Sequence, residues 1–191
     1  MFVLACVCSF SAFAQESSGA FSKGTSVINL GVGFGDLYWG GGYSSNFPVN
    51  PTLSFDHAIT DKLGIGNIGV GGIVSYASSK YSDGVNTYKS SGILVGIRGT
   101  YHFILRSDKI DPYAGVMIGY VFTNNTLPAY SYSPYGFSAK SSGVVPGFFA
   151  GIHYYFQPAF GVYGEVGYDG FSIVNLGVAF RFGGHAPAAK K

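Results

Sequence analysis

The side chains able to do chemistry are few and widely separated. The chain carries four histidines, His57, His102, His153 and His185, and two cysteines, Cys6 and Cys8. A hydroxyl or thiol nucleophile needs an adjacent base, most often histidine. His57, His102 and His153 fall at matching ends of alternating hydrophobic segments, and His185 lies in the C-terminal tail. Asp36, Asp83 and Asp169 lie in turn-rich stretches at the opposite ends, with no histidine or cysteine among them. Solvated loop acids are therefore expected there, not a catalytic set. Neither a close metal-ligand spacing nor a phosphate-binding loop occurs, so no enzyme, metal or cofactor is predicted.

A second group of charges sits inside the alternating segments. Asp56, Arg98, Glu165 and Arg181 all fall on the glycine-rich face of their segments and none on the apolar face. With His102 and His153 they make a candidate internal polar network. Charges taken out of water must be paired, and arginine is the side chain suited to that. The predicted pairing joins Arg98 to Glu165 or Asp56. Arg181 should stand apart, some six residues along its strand from the position facing Glu165. The expected register sets Asp56 opposite Asn67 and Asn67 opposite Thr100.

The elements that position these residues follow from composition and period. Charged residues make up 10% of the 191 residues and glycine supplies 30, against about 25% charged in an average soluble domain. The formal net charge of +2 gives no footprint for nucleic acid. Beyond the extreme N-terminus no apolar run is long enough for a transmembrane helix, so the apolar surface must lie on sheets. Residues 1–14 form an apolar segment ending in Ala12-Phe13-Ala14, the pattern of a cleaved signal peptide. It lacks the basic start of such a peptide, which leaves open a true start codon upstream of Met1. Leu4-Ala5-Cys6 offers a lipoprotein alternative, but the apolar run continues past Cys6 to the better cleavage site. Residues 15–24 are read as a periplasmic lead-in, 25–182 as the folded domain and 183–191 as a disordered periplasmic tail.

Strands are predicted near 25–35, 51–60, 64–77, 91–105, 112–123, 142–156, 161–168 and 171–182. In the last, Val174, Leu176, Val178, Phe180 and Phe182 alternate with Asn175, Gly177, Ala179 and Arg181. Most strands approach the ~9–11 residues that cross a bilayer, and their number is even. Because the bulky apolar face carries no charge, it must point to lipid and the glycine-rich face to a lumen. A soluble barrel or sandwich would need a charged outer face that this chain lacks. The predicted fold class is all-β, an eight-stranded antiparallel up-and-down transmembrane β-barrel. Short links at Asp61-Lys62, Arg106–Asp111 and Gln157–Ala159 alternate with long ones at 36–50, 78–90 and 124–141, which puts both termini in the periplasm. The link around Asp169-Gly170 reads as a three-residue hairpin loop. Outward aromatics fall in two belts: Tyr101, Phe103, Tyr154, Phe156, Phe160, Phe180 and Phe182 on one side, Phe34, Tyr76, Tyr120, Phe122 and Tyr168 on the other.

Four segments carry a resemblance to a known group: Ile59-Thr60-Asp61-Lys62-Leu63-Gly64-Ile65-Gly66, Pro112-Tyr113-Ala114-Gly115-Val116-Met117, Tyr163-Gly164-Glu165-Val166-Gly167-Tyr168 and Leu176-Gly177-Val178-Ala179-Phe180-Arg181-Phe182. Over about residues 25–182 the chain resembles the small outer-membrane barrels of the OmpA transmembrane domain and OmpX type, a group also labelled porin-family proteins. The resemblance implies outer-membrane lipid and lipopolysaccharide as surroundings. It also implies recognition by the barrel-assembly machinery through Phe180 and Phe182, although nine residues follow Phe182 where the usual signal ends the chain. About activity it says little, because such barrels serve many ends.

Two roles then compete. The long links are rich in tyrosine: Tyr38, Trp39 and Tyr43 in the first, Tyr81 and Tyr88 in the second, Tyr130, Tyr132 and Tyr135 in the third. Tyrosine gives contact area at low entropic cost, which fits a surface-interaction role with a ligand the sequence does not name, or simply an envelope-supporting one. The alternative is a narrow ion or small-solute channel. Eight strands enclose a space just wide enough for side chains, and glycines on the inner face would leave small polar cavities.

Overall fold

The structure, a computed structural model, describes residues 19–35, 49–82, 87–126 and 142–184. Alternation of period two is realised as eight strands: β1 (Thr25–Phe34), β2 (Val49–Ala58), β3 (Gly66–Ser82), β4 (Thr87–Phe103), β5 (Ile110–Thr126), β6 (Gly143–Gln157), β7 (Phe160–Tyr168) and β8 (Val174–Gly183). Each pairs antiparallel with the next, and β1 closes on β8 from Thr25–Gly183 to Phe34–Val174. Closure leaves no open edge, so every interior ladder group finds a partner. No described residue is helical.

The apolar side chains stand outside. Ile97, Val116 and Phe148 are about two-thirds exposed, whereas inward neighbours such as Leu94 and Val121 are fully buried. An exterior of this kind is stable against lipid and not against water. Both aromatic belts are present on that face, with Phe103, Tyr154, Phe156, Phe180 and Phe182 at the short-turn end and Tyr76, Tyr120 and Phe122 at the other. Tyr168 differs: it is half-buried and packs against the interior, next to Gly167, whose φ of 152° breaks the alternation.

Three sequence expectations are corrected. β3, β4 and β5 each run to 17 residues, so the link expected at 78–90 is largely ladder. Tyr81 and Tyr88 face each other as backbone partners in it, and pairing continues to Ser82–Thr87. The link at Asp169 spans five residues between strands, not three. Its ladder closes at Val166–Val174, and Asp169 accepts hydrogen bonds from the amides of Phe171 (2.9 Å) and Ser172 (2.6 Å) and from Asn175 Nδ2 (2.8 Å). It is buried, holding the turn rather than lying solvated. Of the lead-in, third, the described residues 19–24 pack onto the barrel. Ala20 and Phe21 are buried with Val27, Ala58, Tyr155, Tyr163 and Ala179 at the short-turn mouth, because an aromatic ring next to an apolar socket gains more by burial than by hydration.

The inner glycines serve close packing, not cavities. A Cβ at Gly115 would lie 2.5 Å from Phe149, at Gly147 2.6 Å from Met117, and at Gly151 2.6 Å from Tyr113. Each glycine gives its volume to a large neighbour. The half of the lumen nearer the long links is filled by Ile73, Ala77, Leu94, Tyr113, Met117, Val121, Val145, Phe149 and Phe171.

Candidate functional site in the lumen

Below that apolar half lies a layer of buried charge. β2 and β4 flank β3, and the register aligns Asp56, Gly71 and Arg98 in one row. Gly71 has no side chain, so the arginine reaches across it. Arg98 Nε lies 3.1 Å from Asp56 Oδ1, and Arg98 Nη2 donates to Glu165 Oε1 at 2.6 Å. Tyr113 donates to the same Glu165 oxygen at 2.8 Å. The guanidinium rests 4.1 Å above the centre of the Phe149 ring, a cation–π contact. Asp56 and Arg98 are in ion-pair contact, but neither Asp56 oxygen has a hydrogen-bond donor among the described residues. The sequence register differs from this one: Asp56 faces Gly71 instead of Asn67, and Asn67 faces His102 instead of Thr100.

Nearer the short-turn end a second cluster joins β4, β5 and β6. Asp111 lies between two histidines: His102 Nδ1 is 2.9 Å from both carboxylate oxygens, and His153 Nδ1 is 3.0 Å from Oδ2. The outer ring nitrogens are also tied. His102 Nε2 is 3.1 Å from Thr100 Oγ1, and His153 Nε2 is 3.0 Å from Asn29 Oδ1, while Asn29 Nδ2 donates to Ser54 Oγ at 3.2 Å. Tyr113 stacks on both histidines at 5.0 and 4.6 Å. Phe21 caps His102 at 3.6 Å, and Tyr155 flanks His153 at 5.6 Å. All three members of the cluster are buried.

Of the predicted network, Asp56, Arg98 and Glu165 come together, and His102 and His153 meet in the neighbouring cluster. Arg181 is apart, donating through Nε to the Pro158 carbonyl (2.9 Å) and through Nη1 to those of Ala20 (2.8 Å) and Asp108 (3.1 Å), with its guanidinium over the Tyr155 ring. Phe180 and Phe182 point outward on β8, opposite Ile28 and Ser26. His57 is half-buried beside Ser26 Oγ at 2.8 Å. Tyr38, Trp39, Tyr43, Tyr130, Tyr132, Tyr135, Asp36, Asp83 and His185 lie outside the described residues.

Asp111 is the member of the buried cluster that the strand pattern does not reveal, because the predicted strand begins at residue 112. The signal was present. Tyr113, Met117 and Val121 share one face of β5, and extending that parity back by two residues puts Asp111 on the inner wall.

A closed eight-stranded antiparallel barrel with an apolar outer wall and a filled polar–apolar interior is the fold of the small outer-membrane barrel proteins. The chain is similar in structure to Ail, the attachment invasion locus protein of Yersinia pestis, solved in complex with the heparin analogue sucrose octasulfate. The TM-score is 0.55 at 17% identity, covering 84% of this chain and 99% of that one. It is also similar to the outer membrane protein OprG of Pseudomonas aeruginosa, with a TM-score of 0.52 at 12% identity over 88% of this chain and 99% of that one. No protein-family model and no curated protein sequence matches the chain.

Proposed function

We propose that the protein is an integral outer-membrane barrel, closed to solutes, whose extracellular loops carry a surface-interaction role while the barrel itself supports the envelope. The observation that carries this is the one-sided extension of β3, β4 and β5. At 17 residues each they exceed the ~9–11 needed to cross a bilayer. The excess lies at the long-link end, where it carries the tyrosine-rich segment 127–141 away from the membrane. Both termini then face the periplasm. Lipid and lipopolysaccharide surround the barrel, and Phe180 and Phe182 serve as its assembly signal. Ail's complex with a heparin analogue makes an anionic polysaccharide the first probe to try.

Two other readings are weaker. A channel would need an open path, but Leu94, Met117, Val121, Phe149 and Phe171 fill one half of the lumen, and the Arg98 and Asp111 groups occupy the other. Catalysis meets a similar obstacle. Thr100, His102 and Asp111 follow the hydroxyl–imidazole–carboxylate order of a triad, yet all three are buried, with Phe21 stacked on the imidazole. The reading therefore includes no enzymatic activity.

Two measurements test it. In planar bilayers the refolded protein should show no steady conductance, and reproducible ion-selective openings would reinstate the channel. Proteoliposomes should be retained on immobilised heparin, and replacing residues 127–141 with a short Gly-Ser linker should reduce retention several-fold without loss of the folded band on unboiled gels. Equal retention with and without the segment would overturn the surface role.

A further inference from the structure

We propose that His102, His153 and Asp111 form a binding site for one divalent transition-metal ion of the zinc class, enclosed in the periplasmic half of the lumen. This inference does not depend on the surface role. It begins with hydrogen-bond direction. Asn29 Nδ2 donates to Ser54 Oγ, which leaves Asn29 Oδ1 facing His153 Nε2 at 3.0 Å. An amide oxygen only accepts, so the hydrogen of the neutral ring is on Nε2. His153 Nδ1 then presents a lone pair to the Asp111 carboxylate 3.0 Å away. Two lone pairs at that distance repel, so the pair calls for a positive charge, either a metal ion between the two groups or a second proton on the ring.

His102 makes a matching arrangement, with Nδ1 toward Asp111 and Nε2 held by Thr100 Oγ1. Metal-binding histidines are commonly oriented in this way, the second nitrogen hydrogen-bonded to a nearby acceptor. The donor atoms of the three residues lie within 4.8 Å of one another. Zinc bonds imidazole and carboxylate at ~2.0–2.2 Å, so the three groups would draw together around the ion.

Charge points the same way. Asp56, Asp111 and Glu165 are buried here with Arg98 as their guanidinium. With neutral imidazoles and all three acids ionised, that is one positive against three negative charges, a deficit of two. One divalent ion restores neutrality where solvent cannot. Two imidazoles and one carboxylate favour Zn2+ or Co2+ over Mg2+ or Ca2+, and three protein ligands leave a fourth position for water. Sequence spacing gave no hint of the site because its ligands come from three strands, and β-sheet pairing alone makes them neighbours.

The rival occupant is a proton on each imidazole. To separate the two, untagged barrel is refolded in detergent, stripped with chelator and titrated with Co2+ near neutral pH. The proposal expects one Co2+ per chain, with the intense visible bands of a four-coordinate ion, displaced by Zn2+. In Asp111→Asn and His102→Asn the bands should be lost while the unboiled protein still migrates as folded. Unchanged bands in those variants would place the metal elsewhere and overturn the site. Should the variants fail to fold, wild-type protein decides alone through 15N NMR of its imidazoles. Movement of two Nδ1 resonances on adding Zn2+ supports the proposal. Protons on both Nδ1 atoms that persist under excess Zn2+ overturn it.

Discussion

The two halves of the lumen are closed by different physics. Toward the long links, the lumen is filled mainly by the apolar packing of Ile73, Ala77, Leu94, Val121, Val145 and Phe171, beside uncharged hydrogen-bonded pairs such as Thr52 with Ser75 and Asn50 with Ser172. Toward the short turns, carboxylates, a guanidinium and imidazoles are held by directed bonds among stacked rings. Tyr113 and Phe149 belong to both: Tyr113 packs in the apolar cluster and donates to Glu165, and Phe149 packs there and lies beneath Arg98. Apolar packing tolerates exchange of shape for similar shape. A charge network tolerates little, since removing one member leaves the others unpaired in a dry space. The contrast shows that filling a narrow barrel and specifying its register are separable tasks.

Substitutions can break or sharpen this contrast. The largest effect is expected at Arg98→Ala, which strands Asp56 and Glu165 and should destabilise by about 3–5 kcal/mol in denaturant titrations of the refolded protein. Since the arginine contacts both acids, recovery should need Arg98→Met with both Asp56→Asn and Glu165→Gln. If the triple change proves no more stable than Arg98→Ala, the network account fails. In the apolar half, Leu94→Ala should cost about 2–5 kcal/mol, and Leu94→Met less than about 1.5 kcal/mol. A larger loss for Leu94→Met would mean that this half is as specific as the other. An effect below that of Leu94→Ala is expected for Gly151→Ala, whose methyl group would meet Tyr113 and Glu165. Overpacking of that kind costs about 1–3 kcal/mol, measurable as a lowered unfolding midpoint.

Much of the fold was legible because a strand's faces are written locally. Period-two alternation put Arg98, Glu165 and Asp56 on the inner wall, where each is buried. Register is not local. Asp56 pairs four residues from its expected partner because the β2–β3 connection is a wide turn, with the ladder ending at Ala58–Gly69 and a separate Leu63–Gly66 bridge inside it. β3 and β4 are offset by two, across a link too long to constrain pairing. Even offsets preserve facing, so the inner wall was readable while its neighbours were not. Asp111 stayed hidden for a related reason: a single charged residue before Pro112 resembles a turn until the strand is extended through it.

The plug at the short-turn mouth has a consequence for the order of events in folding. Arg181 Nη1 donates to the Ala20 carbonyl across 161 positions of chain, and Phe21 sits against residues from opposite ends of the sequence, Val27 and Ala179 among them. Contacts so distant along the chain carry the greatest loop-closure entropy and form late. Phe21 stacks on His102 of β4, and the wall around it is complete only when Tyr163 and Ala179 of β7 and β8 join the same cluster, which needs β1 paired with β8. Ring insertion is thus a chronometer of the final seam. With a tryptophan introduced as Phe21→Trp, fluorescence during refolding into vesicles should change in step with the appearance of the heat-resistant band, after strand content has already risen by circular dichroism.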